Sequence, residues 1–330
     1  MKKTLIVLAT LSAIAGAAQA QSNVTLYGVA DIGFVSKNNG DITKNSIDSG
    51  KLNGSRFGFK GTEDLGGGMA AIFTLESGFN ADTGAQSDAA SFFNRQSFVG
   101  LTGGFGTVKL GRQMNPVYAN SSTFDPFANA LSGDSARLFN YQGSRTNNMV
   151  TYAYETSGFR GEVQYGMGES GTTYKSAGRT VAGLVGYKQG PVDVVLTHQN
   201  VNDATEKSSK VTLLGGNYDF GMVKAFAAVS WEKGYFTPNV DRDQRDVLIG
   251  LKAPVGAAGA VIVSYVNKTN SSVDNADADQ WAIGYTHNLS KRTALYTSYG
   301  QLSNDGNASY QVTTAGNSDK LFMAGVRHSF

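Results

Sequence analysis

Residues 55–76, SRFGFKGTEDLGGGMAAIFTLE, decide how this chain folds. Arg56 and Lys60 alternate with Phe57 and Phe59, so the bases point away from the rings. After the turn residues 64–67, Met69, Ala71, Phe73 and Leu75 alternate with Ile72, Thr74 and Glu76. Successive side chains of a strand point to opposite faces. Period two on both sides of a glycine turn therefore means a hairpin with one apolar and one wet face.

The same pattern recurs along the chain. Leu26, Gly28, Ala30, Ile32 and Phe34 share one face, with Tyr27, Val29, Asp31 and Gly33 on the other. Val223, Ala225, Ala227, Val229 and Trp231 oppose Lys224, Phe226, Ala228, Ser230 and Glu232. The last strand sets Phe322, Ala324, Val326, His328 and Phe330 on one face.

The connections are as informative as the strands. Short ones fall at 64–67, 103–106, 157–160, 188–190, 219–221, 254–258 and 288–291. Long polar ones fall near 37–54, 81–91, 114–144, 169–179, 202–209, 234–245, 270–279 and 303–319. Long and short alternate throughout, which a sandwich or propeller has no reason to do. An up-and-down barrel with one short-turn rim and one long-loop rim does. The count gives an all-β, transmembrane antiparallel β-barrel of about sixteen strands. Crossing a bilayer's apolar band at the tilt of such strands takes roughly ten residues each, and the closed ring is roughly 32 Å across. Side chains cannot fill that interior, so it holds water.

Composition agrees. Glycine is abundant at 41 residues, proline stands at 5, and cysteine is absent, so a disulfide framework and thiolate chemistry are excluded. Lys2 and Lys3, the apolar run from Leu5 to Ala18, and the small-x-small triplet Ala18-Gln19-Ala20 read as a cleaved signal peptide over 1–20. Cleavage between Ala20 and Gln21 makes 21–330 one barrel domain with 26 basic against 26 acidic residues. Such a balance gives no field for nucleic acid.

Aromatic residues collect near strand ends, among them Tyr152, Tyr154, Tyr165, Tyr187, Trp231, Trp281 and Tyr285, as interfacial girdles require. The third long connection, 114–144, carries Tyr118, Phe124, Phe127, Phe139 and Tyr141. A segment of this length with so many large apolar groups does not belong free in water. The segment either packs over the mouth or a neighbouring subunit, or folds into the lumen as a constriction; its aromatic content favours the second. Inward bases are then expected at Arg56, Lys60, Arg95, Lys109 and Arg145, with Phe98 on the face opposite Arg95. Acids are expected to face them from Asp31, Glu76, Asp125 and Asp134, making a transverse field across the opening. Arg112, on the row of Leu110, reads as an interface or loop-anchoring residue. Inward bases slightly outnumber acids, which favours anions weakly.

Four stretches carry a family resemblance: VTLYGVADIGF at 24–34, SRFGFKGTEDLGGGMAAIFTLE at 55–76, NRQSFVGLTGGFGTVKLGRQ at 94–113, and the terminal GVRHSF. In combination the chain resembles the general porins of Gram-negative bacteria, beta-proteobacterial branch. The resemblance implies a homotrimer of sixteen-stranded barrels in the outer membrane, in contact with the bilayer and lipopolysaccharide, that passes ions and small hydrophilic solutes. It implies an inward third loop, an arginine cluster at Arg56, Arg95 and Arg145, acids at Glu76 and Asp125, and a Phe330 read by the insertion machinery. Enterobacterial members carry Pro-Glu-Phe where this chain has Asp125-Pro126-Phe127, and some relatives have lysine in place of Val29, so ion preference does not transfer.

Other functions fit less well. His198, His287 and His328 are scattered over separate strands, and no nucleophile-elbow, metalloprotease or phosphate-loop motif occurs, so neither an enzyme nor a cofactor or metal site is expected. A substrate-specific porin remains open, as does an adhesin or structural barrel acting through its long loops.

Overall fold

The computed structural model describes residues 23–171, 173–237 and 240–330. The expected leader and its Ala20/Gln21 junction lie outside the described residues. Strands run β1 Asn23–Asn38, β2 Thr43–Ser49, β3 Arg56–Gly66, β4 Met69–Gly78, β5 Gln96–Gly103 and β6 Gly106–Met114. Next come β7 Arg145–Thr156, β8 Phe159–Gly166, β9 Thr180–Gln189, β10 Val192–Asn202, β11 Ser208–Asp219 and β12 Lys224–Thr237. The last five are β13 Val240–Val255, β14 Gly259–Asn270, β15 Ala278–Asn288, β16 Thr293–Asn304 and β17 Asp319–Ser329.

Each strand from β3 onward pairs antiparallel with the next, and β1 closes the ring on β17. Among the described residues seventeen segments fill sixteen positions, because β2 and β3 share one. The outer half of β1 pairs with β2 (Ile32 opposite Ser49), and its inner half pairs with β3 (Val29 opposite Arg56). Between them the chain bulges over 50–55. Asp31 holds that bulge: its carboxylate accepts from the backbone amides of Lys51 (3.2 Å), Leu52 (3.0 Å) and Asn53 (2.7 Å).

Two expected long connections turn out to be largely strand. β1 reaches Asn38 and β2 occupies 43–49, while β12 and β13 extend to Thr237 and from Val240. Both stretches are rich in polar residues, and in β2 neither face is buried, so polarity alone read as loop.

The outward row is apolar and open, as at Leu26, Val99, Leu110, Val185, Leu214 and Ile249. In water such a surface would aggregate; around a barrel it is the lipid-facing belt. Aromatic pairs border it. Phe159 and Tyr187 lie 4.7 Å apart, and Tyr218 and Phe220 4.6 Å, at the short-turn rim. Trp281 and Tyr299, 5.5 Å apart, mark the other. At the seam, Phe330 and Gly28 exchange both backbone hydrogen bonds at 3.0 Å, and a Cβ on Gly28 would run into the Phe330 ring.

Candidate functional site

The segment between β6 and β7 contains two single-turn helices, α1 Pro116–Ala119 and α2 Ser121–Phe124, and a 3-10 turn, Ser135–Arg137. Asn115 starts it, its side chain accepting from the Tyr118 amide at 2.8 Å and donating to the Tyr141 carbonyl at 3.0 Å. Val117, Phe124, Leu138, Phe139 and Tyr141 pack on Leu184, Val195, Leu213, Phe226 and Leu248. Phe127, Ala130 and Leu131 pack on Ile262, Ala282, Tyr296, Leu321, Met323 and Val35. All these wall partners belong to the row opposite the belt: Leu213 is fully buried while Leu214 is 48% exposed.

Glycines make the bed. A Cβ on Gly215 would lie 2.5 Å from the Phe124 Cβ, and one on Gly250 2.6 Å from the Pro126 ring. Gly284 and Gly300 face Phe127 and Ser132 equally closely. Side chains at these wall positions would lift the segment off.

Polar pins complete the seat. Asn217 donates to the Thr123 carbonyl at 2.7 Å, the Ser132 amide to Ser298 at 3.2 Å, and Gln280 to the Asp134 carbonyl at 3.2 Å. Arg137 pairs with Asp319, which also holds Lys37 at 3.3 Å. Deepest is a cluster in which Lys268 Nζ lies 3.1 Å from Glu232 and 3.0 Å from Asp246, all three at most 1% exposed. Glu232 also accepts from the Asn140 amide at 2.7 Å.

The expected bases sit on the strands this segment leaves uncovered. Arg56 opens β3, Arg95 immediately precedes β5, and Arg145 opens β7, so all three lie at the same rim of alternate strands. The cluster closes around Glu76: Arg95 Nε is 2.8 Å from Oε1, Arg56 Nε 3.3 Å from Oε2, and Tyr27 donates to Oε2 at 3.0 Å. Arg145 lies 5.3 Å from the centre of the Tyr118 ring, across from the wall on α1, with Nε and Nη2 buried without a protein acceptor. Lys60 and Lys109 lie further along the same wall, over the rings of Tyr27 (5.4 Å) and Phe98 (5.5 Å).

One expectation about the rows is corrected here. Phe98 shares the inward row with Lys109, because Gly100 pairs with Lys109 and the exposed Val99 and Leu101 take the outward row. Arg95 lies before the strand, so the parity that placed it has no hold there, and it reaches Glu76 through the bend.

The acids do not face the arginines as an opposing wall. Glu76 lies inside the cluster. Asp31 is fully buried, organising 50–55 and accepting from Tyr296 at 2.7 Å. Asp125, 1% exposed, accepts from the amides of Phe127 (2.8 Å), Asn129 (3.2 Å) and Ser135 (3.2 Å) and from Ser135 Oγ (2.6 Å). It scaffolds its own segment, although burial raises its carboxyl above the usual carboxylate range. Asp134 caps the 3-10 turn through the Ala136 amide at 2.8 Å; burial, then the Asp125 charge, push its carboxyl up to about 7. Short carboxylates beside turns satisfy backbone donors more readily than they reach across water. Three guanidiniums against one carboxylate leave the wall with a net positive field.

Arg112 donates to the Asn94 carbonyl at 2.8 Å and to Asn147, tying the bend before β5 to β7. The sequence reading missed Tyr27, the Glu232–Asp246–Lys268 cluster, Asp319 and Arg327. Arg327 pairs across the ladder with Asp31 and donates to Asn53 at 3.0 Å. Glu232 and Arg327 were visible as charges on inward rows; their partners come from distant strands.

A family model described as Gram-negative porin matches residues 4–307. The chain belongs to that family. As a porin it is 34% identical, over the whole of both chains, to outer membrane porin protein 32 of Delftia acidovorans. It is 31% identical, again end to end, to the major outer membrane protein P.IB of Neisseria meningitidis serogroup A. The solved anion-selective porin from Comamonas acidovorans overlays it with a TM-score of 0.85 at 31% identity, over 94% of this porin and 100% of that chain. Salmonella typhi OmpF, solved with daunomycin, shares the fold at 18% identity and a TM-score of 0.69 over 93% and 97%. This porin is thus an outer-membrane β-barrel channel for general diffusion, and its fold and family point to transport rather than catalysis.

Proposed function

We propose that this porin prefers small anions, and that its narrowest passage lies between Arg56, Arg95 and Arg145 on one side and α1 with Tyr118 on the other. The observation that carries this is the count of charge at one level: three guanidiniums, one carboxylate, and Asp31 and Asp125 spent on backbone amides. A positive field in a narrow water-filled opening raises the local anion concentration and repels cations. Lys60 and Lys109 extend that field along the wall. The relative from Comamonas acidovorans, described as anion-selective, supports the reading.

The working assembly we infer is a homotrimer, as in a distant Vibrio cholerae neighbour described in trimer form. The leader 1–20 is removed between Ala20 and Gln21, Phe330 serves the insertion machinery, and lipopolysaccharide surrounds the long-loop side. No catalytic step, cofactor or nucleic acid enters this function.

The test is the reversal potential of single channels in a salt gradient. Wild type should reverse on the anion side, and Arg56→Gln/Arg95→Gln/Arg145→Gln should move toward cations, because Glu76 is then uncompensated. An unchanged potential would show that these residues do not line the passage.

A further inference from the structure

Two apolar side chains stand uncovered on rows that face water. The inward residues Leu184, Val195, Leu213, Phe226 and Leu248 lie under the segment between β6 and β7. Phe98 on β5 and Ile72 on β4 face the same lumen, belong to neither packed cluster, and are only half-buried. The ladder sets them side by side. Thr74 pairs with Phe98, and one step toward the short-turn rim Ile72 pairs with Gly100. Over Gly100 the Ile72 side chain and the Lys109 stem converge, since a Cβ there would lie 3.2 Å from one and 3.1 Å from the other.

Charge frames this apolar patch. Lys60 pairs with Thr74, which puts it in line with Phe98 across three strands. Its ammonium lies 5.4 Å from the centre of the Tyr27 ring, and that of Lys109 lies 5.5 Å from the centre of the Phe98 ring. Among the described residues Lys60 makes no ion pair, whereas Lys109 has Glu162 of β8 in its field. Asp64, further along β3 at the turn, is taken by the Gly66 amide at 2.8 Å. Lys60, Phe98 and Ile72, with Thr25, Thr62 and Thr74, line a recess of about 390 Å³. Lys60 follows Arg56 by four residues toward the short-turn rim, so a solute admitted past the arginines meets this recess next.

We propose that this recess binds small aromatic carboxylates, with the ring against Phe98 and Ile72 and the carboxylate on Lys60. Pockets for small molecules combine an apolar wall with a few placed polar groups, and this one has both. A ring that covers Phe98 and Ile72 takes apolar surface out of water, which a chloride or an acetate cannot do to the same extent. The carboxylate gives the Lys60 ammonium a charge-assisted hydrogen bond, and the three threonine hydroxyls stand by for its second oxygen. The site rests on the anion preference proposed above and adds to it a class of solute.

The experiment records single channels of the full-length porin in planar bilayers, in potassium chloride at mildly alkaline pH, while sodium benzoate, sodium acetate or neutral benzamide is titrated in. Benzoate should interrupt the current in a saturable way, and acetate and benzamide at equal concentration should not. Phe98→Ala/Ile72→Thr should weaken the benzoate block on the order of tenfold. Lys60→Gln, which leaves the apolar wall in place, should weaken it on the same order. Equal block by benzoate and acetate, or a block of either variant within twofold of wild type, overturns the proposal. The second outcome would put benzoate on the arginine cluster instead. Reversal of wild type on the anion side of a chloride gradient without any benzoate block makes the recess fail alone, whereas reversal on the cation side sinks the anion preference itself.

Discussion

Lys268→Met tests what holds the third long connection. The Lys268 ammonium donates to Glu232 at 3.1 Å, to Asp246 at 3.1 Å and to Gln244 at 3.2 Å, where water hardly reaches. Methionine keeps most of the stem and removes the charge, leaving two carboxylates together out of solvent. Removing one partner of a buried ion pair costs ~3–5 kcal/mol. The least costly relief is for Glu232 to swing into the lumen, and that releases the Asn140 amide it accepts from at 2.7 Å. The loss should therefore appear locally. At ~3 kcal/mol, amides around 138–142 should exchange with solvent on the order of 100-fold faster, while the ladder of β11–β14 keeps its protection. Hydrogen–deuterium exchange of the detergent-solubilised protein at neutral pH reads both. Adding Asp246→Asn removes the excess charge and should restore much of the protection. If the single variant exchanges within threefold of wild type, the cluster is not the pin.

Gly215→Val would drive side-chain atoms into Phe124, at a cost of ~1–3 kcal/mol; the lifted segment should alter conductance and expose Arg137 to trypsin. Glu76→Gln raises the net charge of the arginine cluster by one. A single charge about 7 Å from a passing ion in water is worth ~0.6 kcal/mol before salt screening, so anion preference should rise roughly twofold in reversal-potential measurements. Asp134 keeps its proton in the folded segment up to about pH 7, whereas unfolded it loses it near 3.8. Its contribution to the order of the segment is therefore fullest below pH 4, falls as pH rises to about 7, and is level above that. Asp134→Asn should flatten this slope in hydrogen exchange of residues 134–138, after correction for intrinsic rates, and an unchanged slope would assign it to another group.

The strand pattern was legible because lipid and water impose opposite demands on alternate side chains, so 55–76 and 223–232 read correctly from residue type alone. The alternation of connection lengths then fixed the topology. Legibility stopped where that contrast stops. In 43–49 both faces are wet, and there and around 234–245, where polar residues dominate, strand looked like loop. Phe98 was misjudged because its row was counted from Arg95, which stands one residue outside β5 and still reaches the cluster on Glu76. Asp31 and Asp125 look like pore acids in sequence, yet their partners are backbone amides that only folding brings within reach. The Lys268 cluster joins three strands and a distant segment, a meeting no local window contains.

The seam between Phe330 and Gly28 has a consequence for how a half-made molecule behaves. The first strand waits with one flank bare until β17 arrives to pair with it from Val29 to Asn38. A product lacking β17 would keep every other hairpin and still carry two raw edges, which neither oil nor other chains leave alone. Closure is thereby proofread by geometry: the ring shuts once β17 is in place or stays sticky enough to be cleared away.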